Sequence, residues 1–188
     1  MTLDLDEKPK PRAKQLHEPS PKSEGMAPPC PLQDIEWRVD SQPYPSKSGS
    51  GHVARYVPYL NSAICAQLLD EWAGPGNWSD RYEPGELNGR PVLWCRITVR
   101  FPWGDISKVD VGVPPRGDDA DLSDKGLVSD AFKRCATLKW GVGRNVYRLP
   151  VLWAACDEVN GKARAPRGIE HELTKQLLDL GWKPDGSR

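Results

Sequence analysis

Long apolar runs are missing from this chain of 188 residues, and with them any segment of membrane-spanning length. The opening stretch, MTLDLDEKPKPRAK, has no hydrophobic run either, so no secretory leader is expected and the chain reads as cytoplasmic, with no membrane partner. Cysteine is sparse and dispersed: Cys30, Cys65, Cys95, Cys135 and Cys156 contain no C-x-x-C pair, which argues against a zinc ribbon or a thioredoxin-type redox motif. Cys65 and Cys135 fall on expected apolar helix faces and Cys95 inside an expected strand, the positions of buried reduced thiols. Histidine is confined to His17, His52 and His171, none at ligand spacing to a cysteine. An excess of charge is absent too: 26 Lys and Arg balance 26 Asp and Glu, which argues against a surface coated in positive charge and leaves room for a local basic stripe.

Catalytic signatures fall short in the same way. Gly112-Val-Pro-Pro-Arg-Gly117 has the glycine spacing of a phosphate loop, but Asp118 and Asp119 follow it where Lys and Ser or Thr belong. Gly141-Val-Gly143 lacks the third glycine and the preceding strand of a dinucleotide site. His171-Glu172 begins a zinc-protease pattern whose second histidine is Lys175. Asp118, Asp119, Asp121 and Asp124 form an acidic loop open to two readings: a hydrated Mg²⁺ site of the nuclease kind, or a solvated loop that caps the next helix. No enzyme and no cofactor are expected.

What remains is one domain with tails. Residues 1–30, rich in Pro and charge, are expected to be a disordered tail, 31–156 a folded domain, and 157–188 a linker followed by an amphipathic helix. Within the domain, LQDIEWRV after Pro31 reads as a short helix and residues 41–51 as a turn-rich loop carrying Lys47. HVARYVPY is expected as a strand near a sheet edge, with Val53, Arg55 and Val57 on one side. Leu60 to Ala73 follows as a helix ended by Gly74. Three strands come next, Asn77 to Glu83, Pro91 to Phe101 and Ile106 to Val113, the first two joined by the Asn88-Gly89 turn. Leu93, Cys95, Ile97, Val99 and Phe101 are the expected core face of the middle strand. VLWAAC is expected at the sheet edge, and Trp37, Trp72, Trp78, Trp94 and Trp140 read as core or interface.

The chain is organised around Ser123 to Pro150. From about Asp124 to Trp140, Leu127, Val128, Ala131, Phe132, Cys135, Ala136 and Leu138 recur at helical spacing, with Ser123 as N-cap and Gly141 as stop. Lys125, Ser129, Lys133 and Thr137 fall on the opposite face, with Arg134 at its margin. From Lys125 to Arg148 six basic residues (Lys125, Lys133, Arg134, Lys139, Arg144, Arg148) stand against one acid, Asp130, a net of plus five. Such a face suits a nucleic-acid backbone.

The order of three strands and then DAFKRCATLKWGVGRNVYRLP resembles the Rad-fifty-two family of single-strand annealing proteins, with its bacterial and phage members. The resemblance covers about Ile35 to Pro150 and is carried by IEWRV, Tyr56-Val57, Gly76-Asn-Trp78, Asn88-Gly89-Arg90, Asp110-Val-Gly112 and Ser129-Asp130-Ala-Phe-Lys133-Arg134. It implies an α+β domain, an antiparallel β-meander of three to four strands packed against the long basic helix, assembled into rings or filaments. It implies ATP-independent binding and annealing of single-stranded DNA in recombination or repair, with single-stranded DNA and further copies of the chain as partners. Lys133, Arg134 and Lys125 match groove-lining cations, Tyr56 a groove-wall aromatic, and Arg90 a basic residue of an outer DNA site. Arg144, Arg148, Lys47 and Arg55 complete the candidate set from the residues themselves. Arg55 and the acidic loop depart from the pattern, and the family's long partner-binding C-terminal region is expected to be absent. End protection of single strands without annealing, and metal-dependent cleavage, are the alternatives.

Overall fold

The computed structural model describes residues 27–47, 49–113 and 124–188; the acidic loop, Ser123 and most of the expected tail lie outside them. Residues 27–30 are not a tail. Pro28 accepts a hydrogen bond from Gly143 N–H at 3.0 Å, and buried Cys30 exchanges backbone hydrogen bonds with the Asn145 side chain at 2.7 and 2.9 Å. Leu32–Asp34 form one 3-10 turn. The expected helix goes no further, because Glu36–Val39 extends as strand β1. The alternation in Glu36, Trp37, Arg38 and Val39 suits a pleated ribbon, and that ribbon pairs antiparallel with β3 (His52–Tyr59).

A two-residue strand, β2 (Tyr44–Pro45), pairs with the start of β3 inside the stretch expected to be loop. Strand β3 is therefore interior rather than an edge, with β1 and β2 on one side and β7 (Leu152–Val159) on the other. The expected linker at 157–167 begins as a hairpin from β7 into β8 (Lys162–Arg164), closed by Asn160 and Gly161 at φ 53 and 75. Asn-Gly is the same turn signal that marks residues 88 and 89.

Helix α1 (Ser62–Ala73) starts at Asn61, whose side-chain oxygen accepts from Ile64 N–H at 2.8 Å, and stops at Gly74 with φ 84. The second sheet is the expected meander, β4 (Trp78–Leu87), β5 (Arg90–Phe101) and β6 (Gly104–Gly112), in sequential antiparallel order. Cys95, Ile97 and Val99 are buried on its inner face, as the alternation of β5 requires. The class is α+β.

Helix α2 (Asp124–Arg134) lies across that inner face and runs on as a π-helix, Cys135–Trp140. At Gly112 an added Cβ would sit 2.8 Å from the Ala131 Cβ and from the Leu127 carbonyl, so glycine sets how closely helix and sheet approach. In the π segment each turn holds more residues than in an α-helix, so the later side chains fall behind a 100° projection. This accounts for two reversals: Thr137, expected outward, is buried, and Leu138, expected inward, is exposed. Val128 is exposed as well. Gly141, at φ 87, ends the segment. Helix α3 (Ile169–Asp179) buries Ile169, Leu173 and Leu177 in the same core that holds Tyr56, Leu69 and Cys135.

Candidate nucleic-acid interface

The last turn of α2 sends its two adjacent cations to different flanks. Lys133 reaches toward β3, where its ammonium lies 4.2 Å from the centre of the Tyr59 ring and donates to the phenol oxygen. The Arg38 guanidinium, from β1, lies 3.2 Å from the centre of the same ring. One electron-rich ring thus steadies two cations, neither of which meets a carboxylate among the described residues. Charges held this way keep their field for an external anion.

Arg134 turns to the other flank. Its guanidinium stands 3.6 Å from the buried Asp110 carboxylate of β6, which Lys139 approaches at 3.7 Å from the π segment. The Arg134 side chain is 39% exposed, and its Nε is buried without a partner. Of the two cations expected side by side in a groove, one therefore meets no carboxylate and the other is engaged by one in the fold. The reason is local: Asp110 has its carboxylate under the helix, and a buried carboxylate demands neutralisation.

Arg144, in the 3-10 segment Arg144–Arg148, caps the π-helix by donating to the carbonyls of Thr137 and Leu138 at 3.1 and 2.7 Å. A cation at a helix C-terminus satisfies orphan carbonyls and the dipole together. Its neighbours Tyr147 and Arg148 are exposed. The Tyr147 hydroxyl lies 3.5 Å from that of Thr137, which donates to the Lys133 carbonyl at 2.6 Å, so this segment borders the Lys133 turn.

Strand alternation carries the strip along the outer face of the first sheet, where Val53, Arg55, Val57 and Tyr59 share one side of β3. Arg55 is held by Asp40 at 2.5 Å and faces Trp153 across the strands. Tyr56 corrects the expectation placed on it: it points inward, fully buried, with its hydroxyl donating to the Ala155 carbonyl at 2.8 Å. Burial pushes its phenol up to about 12, so it is a neutral core residue rather than a groove wall. The Cys65 thiol in the same core is likewise raised by burial to about 12.

Lys125 is exposed in the first turn of α2, eight residues from Lys133 and so about 12 Å along the axis. Lys47 is exposed beside β2. Arg90 opens β5 at the tip of the other sheet's hairpin, opposite Leu87, and does not join this strip. Lys133 and Arg38 share the Tyr59 ring, Arg55 lies on the same face of β3, and the segment of Arg144 and Arg148 borders the Lys133 turn; Arg38, Tyr59, Tyr44, Tyr147 and Trp153 were not singled out by sequence. The alternation of HVARYVPY could have found Tyr59, which follows Arg55 by four. Among the described residues no group of three or more His, Cys, Asp or Glu could hold a metal ion. No helix among them is long and apolar enough to cross a membrane.

Over 148 residues, 74% of its length, the chain is 30% identical to the single-stranded DNA-binding protein DdrA of Deinococcus radiodurans. Over 113 residues, 60% of its length, it is 35% identical to the single-stranded DNA-binding protein DdrA of Deinococcus deserti. The matches span 64% and 48% of these relatives. No family model matches the chain, and no solved structure matches it.

Proposed function

We propose that this chain binds single-stranded DNA and promotes annealing of complementary strands without nucleotide hydrolysis, in the DNA damage response, as a ring or filament of the Rad-fifty-two type. The observation that carries the reading is the strip formed by Lys133, Arg38 and Tyr59, with Arg148 exposed in the segment that borders it. Two relatives named for single-stranded DNA binding support it independently. Cations on a helix end and a sheet face meet phosphates without reading sequence. One subunit offers few such contacts, and a neutral chain gains grip by repeating them along one strand.

In annealing of complementary oligonucleotides without ATP, the wild-type protein is expected to accelerate pairing, and the Lys133→Ala/Arg148→Ala variant to lose it while staying folded. Full activity in that variant rejects the strip. Binding without acceleration identifies a protein that shields single strands, and cleavage dependent on a divalent ion identifies a nuclease.

A further inference from the structure

The outer face of the first sheet carries more than cations. Tyr44 and Trp153 stand edge to face there, ring centres 5.7 Å apart at 65°, and are 50% and 51% exposed. Both are rigidly presented. Trp153 sits in β7, paired to β3 on one side, with its carbonyl accepting from Gln176 of α3 at 3.3 Å. Tyr44 is flanked by Pro43 and Pro45 and tied to Val53 by pairing. The guanidinium of Arg55, directly across from Trp153, is fixed by Asp40. Along β3, from Val53 beside these rings to Tyr59 beneath Lys133, the face runs about 20 Å. It changes along that length from aromatic with one arginine to one phenol holding two cations.

We propose that Trp153 and Tyr44 form a stacking subsite for unpaired nucleobases, fed by a strand whose phosphates follow Arg38 and Lys133. The proposal rests on the reading of this face as a single-strand binder. Charge complementarity argues for this occupant: Arg55 and Asp40 cancel each other, while Arg38 and Lys133 meet no acid among the described residues and outnumber Glu36, the carboxylate across from Tyr59 that accepts from Asn61. Every base has a π-face, so an exposed tryptophan holds any of them without selecting sequence. Stacking also engages the flat of the base and leaves its pairing edge outward, which is what a complementary strand must reach. A base already stacked within a duplex has no free face, so the subsite grips substrate and releases product.

The test compares a dye-labelled oligothymidylate with an abasic deoxyribose-phosphate strand of equal length, by anisotropy at one salt concentration. Wild-type protein is expected to prefer the thymidylate by about tenfold. Trp153→Leu, which stays apolar and removes the plane, is expected to erase that preference and leave abasic binding unchanged; Trp153→Phe is expected to restore most of it. A preference that persists in Trp153→Leu overturns the subsite while strand binding stands. A change in oligomeric state in Trp153→Leu with thymidylate binding intact overturns it in favour of contact between copies. Wild-type protein that binds neither strand overturns the underlying reading, and the subsite with it.

Discussion

On one flank of the long helix, Lys133 rests on the ring of Tyr59, an uncharged partner that leaves its field directed outward. On the other, one residue later, Arg134 faces a buried carboxylate that Lys139 also approaches. Two cations adjacent in sequence thus serve different ends, and what separates them is the partner each meets. A π-face steadies a cation without neutralising it, whereas a carboxylate cancels it. A basic dipeptide on a helix is therefore not a unit of binding.

The most severe way to test whether both flanks stand on one foundation is alkali. Burial holds the Cys30 and Cys65 thiols and the Tyr56 phenol neutral, each pushed up to about 12 from ordinary values of 9 or 10. Between those values the unfolded chain has lost protons that the fold keeps, so stability is full below about pH 9 and falls as pH rises toward 12. Urea midpoints followed by far-UV circular dichroism are expected to be level from pH 7 to 8.5 and to decline above pH 9. A midpoint that rises there contradicts the buried, neutral assignment.

Next in size is the split between the flanks. Lys133→Ala/Arg148→Ala is expected to weaken oligothymidylate binding by about thirtyfold, roughly 2 kcal/mol, and to lower the salt slope by about 1.4 for two phosphates lost. Its melting temperature should hold. Arg134→Ala is expected to do the reverse: affinity changes less than about threefold, while stability falls by roughly 1–2 kcal/mol because Asp110 loses one of its two cations and keeps Lys139 and the Val111 N–H. Equal binding losses in the two variants would erase the distinction.

Smallest is Tyr59→Phe, which keeps the ring and removes the oxygen to which Lys133 donates. Affinity should fall about twofold, and Tyr59→Leu should cost more because the ring itself is lost. Equal effects would place the contribution in the hydroxyl.

Legibility followed the range of the signal. The meander and α1 were readable because alternation, an Asn-Gly turn and helical spacing are local patterns, and Cys95, Ile97 and Val99 lie inward as their register requires. Strand β1 is not legible because it exists by pairing with the far half of β3, and β2 because Tyr44–Pro45 is too short to show any alternation. The second Asn-Gly hairpin, at 160 and 161, is local too, but it stands among residues of linker-like composition. At the site, Lys133 and Arg148 could be named from sequence. Asp110, Arg38 and Tyr59 could not be paired with them, since nothing local says that β6 sets a carboxylate under Arg134 or that β1 brings an arginine over the ring.

The wide turn at Cys135–Trp140 sets a consequence for length. The segment holds one residue more than an α-helix needs for the same rotation, and winding all of its residues as an α-helix would rotate all that follows by about 100° about the axis. Trp140 would swing out of the core, and the arginines at 144 and 148 would lose their bearing on the lysine at 133. The alignment of this surface is thus kept by the width of one turn as much as by residue type, and the same residues wound evenly, with every charge intact, would carry their cations out of line.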